Sequence, residues 1–308
     1  MRRPRLAILT NERDFAADEV IHQLDSSHLE IIRFNYETCT THPAWLCAVG
    51  CEDDPVSHEV VWWRQFNTDA QATTLADVDA LLIERAQWRS FLSSLDQPGS
   101  RWVNPLWPAR RAENKIEQLR AAQRMGLAIP PTLITNSPQK AREFTRRHGS
   151  CVIKSLNTAY FEFSDQGFVF TEQLHQELLE ADAELWYRQP VIIQTRIDRE
   201  ADIRIIAFRN HAFGAITHSP GSDWRKNPAG VDWRPYSVNP HFADLCRSYL
   251  SVMGLRYAAF DFALSENRLW FLEANQAGEW HFLDKHLKLG ISRALAYYLA
   301  DLASGDEK

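Results

Sequence analysis

Two hydrophobic periods alternate along the chain, one of two residues and one of about three and a half. Residues 5–9, with the run Leu6-Ala-Ile-Leu9, predict a buried first strand. Asp18 to Leu24 predicts a short amphipathic helix, Glu30 to Phe34 a second strand, and Val60-Val-Trp-Trp-Arg64 a further one. From Ala76 to Leu95 the apolar residues Val78, Leu81, Leu82, Trp88, Phe91, Leu92 and Leu95 fall at helical spacing, and Gln97-Pro-Gly99 stops the helix. Strands alternating with helices predict an open α/β sheet as a first domain over 1–105. No Gly-x-Gly-x-x-Gly follows the first strand; Leu9-Thr-Asn-Glu-Arg-Asp14 is not a dinucleotide fingerprint.

Asn104-Pro105 and Trp107-Pro108 mark a linker. Ala112 to Met125 predicts a helix carrying Lys115 and ended by Gly126. Leu127-Ala-Ile-Pro-Pro-Thr132-Leu-Ile-Thr135 predicts a strand beginning beside prolines, and a helix capped by Asn136 or Ser137 runs to His148 and closes at Gly149. Cys151-Val-Ile-Lys154 is a short apolar strand with a lysine at its end, which is costly unless the lysine meets an anion or snorkels to water. Residues 155–170 read as a hairpin-like loop and Glu172 to Ala181 as a helix. Pro190 to Ile197 and Ala201 to Phe208 are strands, with Asp202 and Arg204 on one face of the second. After a turn at Asn210-His211, Ala212 to Thr217 pairs back. Residues 219–240, rich in Pro, Gly, Asn and Asp, read as a long loop, Phe242 to Met253 as a helix, and Leu283 to Ala303 as a terminal helical region.

The strongest candidate chemistry lies at 257–275. Ala259 to Leu264 alternates around Asp261, Ser265-Glu-Asn267 is turn chemistry, and Leu269 to Leu272 is a second apolar run, so a hairpin is predicted. Glu273 and Asn275 share a face as i and i+2, and Asp261 reaches that face from the partner strand. Three hard oxygen ligands on paired strands suit a magnesium ion held with nucleotide phosphates; the plainer alternative is a solvated edge hairpin.

Composition narrows the class. The chain has 308 residues, a net charge of −6 and no basic block, which argues against nucleic acid as the main partner. The four-residue apolar run near the N-terminus is too short for a signal segment, and no apolar stretch reaches membrane-spanning length, so a cytoplasmic protein is expected. Five cysteines, at 39, 47, 51, 151 and 246, form no zinc pattern and read as free thiols. Tryptophan recurs beside Arg or Asp, in Trp62-Trp-Arg64, Asp223-Trp-Arg225 and Asp232-Trp-Arg234, as core edge or as a surface that grips a peptide.

Taken in order, Lys115, Pro130-Pro-Thr132, Val152-Ile-Lys154, Gln194-Thr-Arg-Ile197, Asp202-Ile-Arg204, Asp261 and Glu273-x-Asn275 resemble the ATP-grasp ligases. The resemblance is closer to their peptide-maturing graspetide (microviridin-type) branch. It rests there on Val61-Trp-Trp-Arg64, Trp102-Val-Asn-Pro105, Arg110-Arg-Ala-Glu-Asn-Lys115, Asp232-Trp-Arg234 and Leu272-Glu-Ala-Asn-Gln-Ala-Gly-Glu-Trp280. It covers nearly the whole chain. It implies an α+β ATP-grasp architecture: an N-terminal open α/β domain (1–105), a central lid subdomain (106–187) and a C-terminal antiparallel-sheet nucleotide-binding subdomain (188–308).

The resemblance implies that ATP lies between two antiparallel sheets, its adenine on backbone groups of Gln194, Thr195 and Ile197. Lys115 and Lys154 then hold phosphate oxygens, and Asp261, Glu273 and Asn275 hold Mg²⁺. Asp202 joins the nucleotide side, and Arg204 faces the γ-phosphate or the substrate carboxylate. A carboxylate would be activated as an acyl phosphate and attacked by a nucleophile, a step that calls for cations and positioning, with Arg204 and Lys154 as the catalytic pair. His211 and His218 are available bases. The implied substrate is a precursor peptide with leader and core, touched first by Arg64 and Arg234, and the branch allows a homodimer. Two departures stand out. Residues 155–167 hold one glycine, Gly167, where lids of this fold are often richer, and Ala274-Asn-Gln-Ala-Gly278 replaces the branch's usual Ile-Asn-Pro-Asn-Gly. The rival readings are a ligase adding an amino acid to a peptide or protein carboxylate, and a nucleotide-sensing protein without turnover.

Overall fold

The computed structural model describes residues 3–26, 28–39, 60–64, 75–96, 101–156, 171–180, 183–218 and 231–305. The hairpin-like loop with Gly167, most of the 219–240 loop with Trp224 and Arg225, and Cys47 and Cys51 lie outside these residues.

The first layer follows the predicted alternation: β1 (Arg5–Thr10), α1 (Phe15–Gln23), β2 (Glu30–Asn35), α2 (Tyr36–Cys39), β3 (Val60–Trp63), α3 (Leu75–Leu95) and β4 (Arg101–Val103). The strands form one parallel sheet in the order β2-β1-β3-β4. β1 is buried on both faces, as a central parallel strand must be. Leu6 and Ile8 enter one core, and Ala7 and Leu9 another with Trp102 and Leu92. β4 has only three residues, and it is absent from the hydrophobic reading, which treats that region as the approach to a linker.

The chain continues through α4 (Leu106–Glu113), α5 (Lys115–Arg124), β5 (Thr132–Thr135), α6 (Pro138–His148), β6 (Cys151–Lys154), β7 (Glu172–Gln173), α7 (Gln176–Glu180), α8 (Ala183–Tyr187) and β8 (Val191–Thr195). The single helix expected over 112–125 is two, because Asn114 caps the second by accepting from the Ile116 and Glu117 N–H groups. The helix expected over 172–181 begins instead with β7, which pairs with β6. β5, β8, β6 and β7 form an antiparallel sheet whose one face packs Ile193, Leu133 and Cys151 against α6 and α7. A boundary between 187 and 188 would separate β8 from the strands it pairs with; the sheet ends at Thr195. Ile197 therefore lies past the strand.

The last part holds β9 (Ala201–Phe208), β10 (His211–Thr217), β11 (Trp233–Tyr236), α9 (Pro240–Met253), β12 (Tyr257–Ser265), β13 (Arg268–Asn275), α10 (His281–Leu287) and α11 (Ile291–Ser304). These strands form a five-stranded antiparallel sheet, β11-β10-β9-β12-β13. β11 corrects the loop expected there; Pro235 masks it in the sequence but is tolerated because the strand is an edge. Lys288 and Gly290 adopt left-handed backbone conformations, which splits the terminal helix in two.

One face of this sheet, with Ile203, Ile205, Phe260, Phe262 and Phe271, packs against α5 and α9. The other face is apolar only at one end. There Ile206, Phe208, Tyr257 and Ala259 join Leu6, Ile8 and α11 in a core shared with the first sheet. Along β9 the same face then turns polar, at Arg204 and Asp202. Asn104 stitches the layers: its amide donates to the Tyr257 and Gln276 carbonyls and accepts from the Arg256 and Tyr257 N–H groups, at 2.6–2.9 Å.

Candidate active site

The polar end of that face is built from three neighbouring strands. Asp261 on β12 lies opposite Arg204 on β9 and opposite Glu273 on β13. Asn275 is two residues further along β13, its amide 3.3 Å from Glu273 Oε1. The row depends on a β-bulge, since the β12–β13 register shifts between Asp261 and Phe262, from Asp261–Glu273 to Phe262–Phe271. In a regular strand Glu273 would share a face with Phe271 and enter the aromatic core. The extra residue, Leu272, turns Glu273 and Asn275 to the polar side while Phe271 and Ala274 stay in the core.

Helix α5 locks this bulge. Gln118, buried, accepts from the Ala274 N–H at 3.0 Å and donates to the Ala112 carbonyl at 2.6 Å. One turn earlier on the same helix face, Lys115 Nζ sits 3.5 Å from Glu273 Oε2. A lysine at the first position of a helix opposes the macrodipole, so its placement speaks for a role beyond local stability. The Lys115 N–H reaches the Leu156 carbonyl at 3.4 Å, which joins α5 to the segment following Lys154.

Arg204 is buried. Its Nη1 donates to both Asp261 oxygens, at 2.7 and 3.0 Å, and its Nε and Nη2 donate to the Glu279 carbonyl, at 3.1 and 2.8 Å. The loop supplying that carbonyl comes close because residue 278 is glycine; a Cβ there would lie 2.4 Å from Ala259 Cβ. Tyr257 donates to the Gly278 carbonyl at 2.6 Å, and burial pushes its phenol above the ordinary value, so it stays a donor. Asp202, two residues before Arg204, meets Arg199 Nε at 3.3 Å.

On the central sheet, Lys154 Nζ donates to Gln194 Oε1 at 2.8 Å, and Gln194 Nε2 donates to Thr132 Oγ1 at 2.9 Å. The hydroxyl of Thr195, at the end of β8, is buried and finds no hydrogen-bond partner among the described residues.

Two expected peptide contacts separate. Arg64 is 3% exposed, its guanidinium held by Asp14 and Glu279, so it is corrected from a surface contact to an internal tether. Burial disfavours its charge, but Asp14 and Glu279 outweigh that and hold it protonated. Arg234 is exposed on β11 and paired with Asp232. His211 lies at the hairpin end of the β9–β10 ladder, remote in register from Arg204, with burial and Arg209 lowering its pKa. His218 follows Thr217 at the opposite end, where Thr217 pairs with Asp202. Gln118, Asn104 and Glu279 receive no role from the sequence, although Asn104 and Glu279 stand inside motifs that carry the resemblance; Asn114-x-x-Glu117 carried a local signal, that of a capping residue three before an acid.

The donor set fits the groups the resemblance implies. Among the described residues no three His, Cys, Asp or Glu gather into a metal cage. Two carboxylates and an amide oxygen nevertheless suit magnesium, which keeps waters and phosphate oxygens as its other ligands. The unpartnered Thr195 hydroxyl suits a bound nucleotide.

The RimK-like ATP-grasp domain matches residues 112–299, more than half of the chain. The chain belongs to the RimK-like ATP-grasp family. No curated protein matches it by sequence. This ATP-grasp chain is similar in structure to a RiPP-associated ATP-grasp ligase of Chryseobacterium gregarium in complex with ADP and a leader and core peptide. The TM-score is 0.82 at 23% identity, over 99% of this chain and 97% of that one. It is similar to macrocyclase MdnC of Microcystis aeruginosa MRC bound with precursor peptide MdnA, at TM-score 0.81 and 23% identity, over 96% and 99%. It is also similar to ATP-grasp ligase PsnB complexed with minimal precursor, Mg and ADP, at TM-score 0.75 and 18% identity, over 97% of each chain. At these identities the likeness establishes the shared ATP-grasp fold. Among the described residues no helix is long and apolar enough to cross a membrane.

Proposed function

We propose that the chain is an ATP-dependent, ADP-forming ligase that activates Asp or Glu side chains of a ribosomally made precursor peptide. It then closes them onto Ser or Thr hydroxyls, or onto Lys amines, as ester or amide rings. The observation that carries this reading is the row Arg204–Asp261–Glu273, flanked by Lys115 and Asn275, on a fold like that of a ligase solved with a leader and core peptide and a macrocyclase solved with its precursor peptide.

ATP, when bound with Mg²⁺, supplies the phosphoryl group that turns a carboxylate into an acyl phosphate. Asp261, Glu273 and Asn275 would hold the ion by their oxygens. Lys115 and Lys154 would hold phosphate oxygens, with Gln194 setting the position of Lys154. Thr195 and Ile197 would line the nucleotide base, and Asp202 would keep Arg199 beside it. Arg204 orients the reacting carboxylate. Such a site works by positioning and charge, with no covalent attachment to the enzyme. Arg234 is the proposed peptide contact, and a second copy of the chain a proposed partner. Cys151 and Cys246 are free and buried, and free thiols suit a cytoplasmic setting.

The test is mass spectrometry of a candidate precursor peptide, a short one rich in Thr/Ser and Asp/Glu sought in the neighbouring reading frames, incubated with enzyme and Mg-ATP. Loss of one water per ring with ADP release is expected. A gain of one amino-acid residue would favour the intermolecular ligase, and neither ADP nor mass change would favour a nucleotide sensor.

A further inference from the structure

Glu279 makes three kinds of contact. Its carbonyl accepts from Arg204 Nε and Nη2. Its Oε1 accepts from the Trp280 and His281 N–H groups, at 3.0 and 2.7 Å, where α10 begins. Its Oε2 accepts from Arg64 Nη2 at 2.8 Å. Arg64, just past β3, also donates to both oxygens of Asp14, at 3.1 and 3.2 Å, and Thr10 on β1 donates to Asp14 at 2.5 Å. An unbroken path of hydrogen bonds therefore runs from the first sheet through Asp14, Arg64 and Glu279 to Arg204 and Asp261.

We infer that Arg64 and Glu279 are positioning residues, which fix the Glu279 carbonyl and through it the plane of the Arg204 guanidinium against Asp261. The inference rests on the role proposed for Arg204. A guanidinium held only by one carboxylate can swing about that contact, and a second acceptor on its other edge removes the freedom. The Glu279 carbonyl is itself steady because both carboxylate oxygens of its side chain are anchored and Trp280 beside it is fully buried. A misplacement of about 1 Å at such a site costs on the order of a hundredfold in rate. The first sheet, which holds none of the proposed metal or phosphate ligands, thus sets the geometry of the reacting groups.

Two variants test this. Glu279→Gln keeps an acceptor for α10 but weakens the tie to Arg64, on a side chain 41% exposed and so tolerant of change. The paired Asp14→Leu/Arg64→Met removes both buried charges together, leaving neither uncompensated by the other. The readouts are ADP release with peptide and the NMR signal of the Arg204 Nε–H, assigned by its loss in Arg204→Lys. In folded variants kcat is expected to fall about 10- to 100-fold with the KM for ATP within about threefold, and the Arg204 signal to shift and exchange faster with water. Absence of turnover in the wild type would count against the ligase reading, while the NMR signal still judges the positioning role. An unchanged kcat and an unmoved Arg204 signal in folded Glu279→Gln would overturn the inference, whatever the melting temperature does. If the double variant does not fold, Glu279→Gln alone decides.

Discussion

Asp261 and Glu273 stand opposite one another on paired strands, and each carboxylate is held by its own cation, Asp261 by Arg204 and Glu273 by Lys115. Like charges directly across a ladder repel, so the two cations make the pair tolerable. A metal ion bound with phosphates would take over the neutralisation and leave Lys115 able to turn toward anionic oxygens, while the Glu279 carbonyl keeps Arg204 in its plane.

Asp261→Asn and Glu273→Gln each remove a charge at nearly constant shape. Turnover is expected to fall by about 100-fold or more, in line with losing one preorganised electrostatic group, with a rise in the Mg²⁺ concentration needed for half-maximal rate. ADP release across a Mg²⁺ titration measures both, and wild-type turnover in Glu273→Gln would remove Glu273 from the site.

Gln194→Leu takes from Lys154 its 2.8 Å acceptor. Hydrogen bonds to charged groups contribute about 1.5–3 kcal/mol, so the KM for ATP is expected to rise roughly 10- to 100-fold. Initial rates against ATP concentration check this; an unchanged KM would mean that Lys154 is placed by other contacts.

Burial alone would raise the Asp14 carboxyl, but Arg64, with hydrogen bonds from Thr10 and the Ala17 N–H, outweighs it and holds the group below its ordinary value. A carboxylate depressed in the fold adds stability that is complete above its unfolded pKa of about 3.9 and drains away as pH falls through the folded value. Urea unfolding from pH 6 down to pH 3 should therefore show the wild type losing its advantage over Asp14→Asn at the acid end. A stability gap that stays constant with pH would show that the Asp14 charge contributes nothing.

Gly278→Ala puts a Cβ 2.4 Å from that of Ala259 and 3.1 Å from Arg204 Nη2. Overpacking of this kind costs about 1–3 kcal/mol, and activity should fall beyond what the stability loss explains, because the Glu279 carbonyl must move. Chemical denaturation beside an activity assay below the melting transition separates the two effects.

Much of this was legible in the sequence because hydrophobic period and turn chemistry agree. The first three strands of the first sheet, the 257–275 hairpin and the strand ending in Lys154 all follow from it. The sharing of one face by Glu273 and Asn275 was right, but the bulge that makes it compatible with Phe271 was not visible, since periodicity cannot show which residue a partner strand leaves unpaired. β11 was hidden by Pro235, whose edge position only the pairing reveals. Arg64 was misplaced at the surface because its partners, Asp14 and Glu279, lie 50 and 215 residues away. Charge beside tryptophan looks the same whether it is exposed or buried in a pair.

The most direct measurement is a crystal structure of the protein with Mg²⁺ and a nonhydrolysable ATP analogue. The expected result is an octahedral ion with oxygens of Asp261, Glu273 and Asn275 at about 2.0–2.1 Å, and Lys115 and Lys154 turned to phosphate oxygens. An ion bound elsewhere, with Lys115 still paired to Glu273, would contradict it.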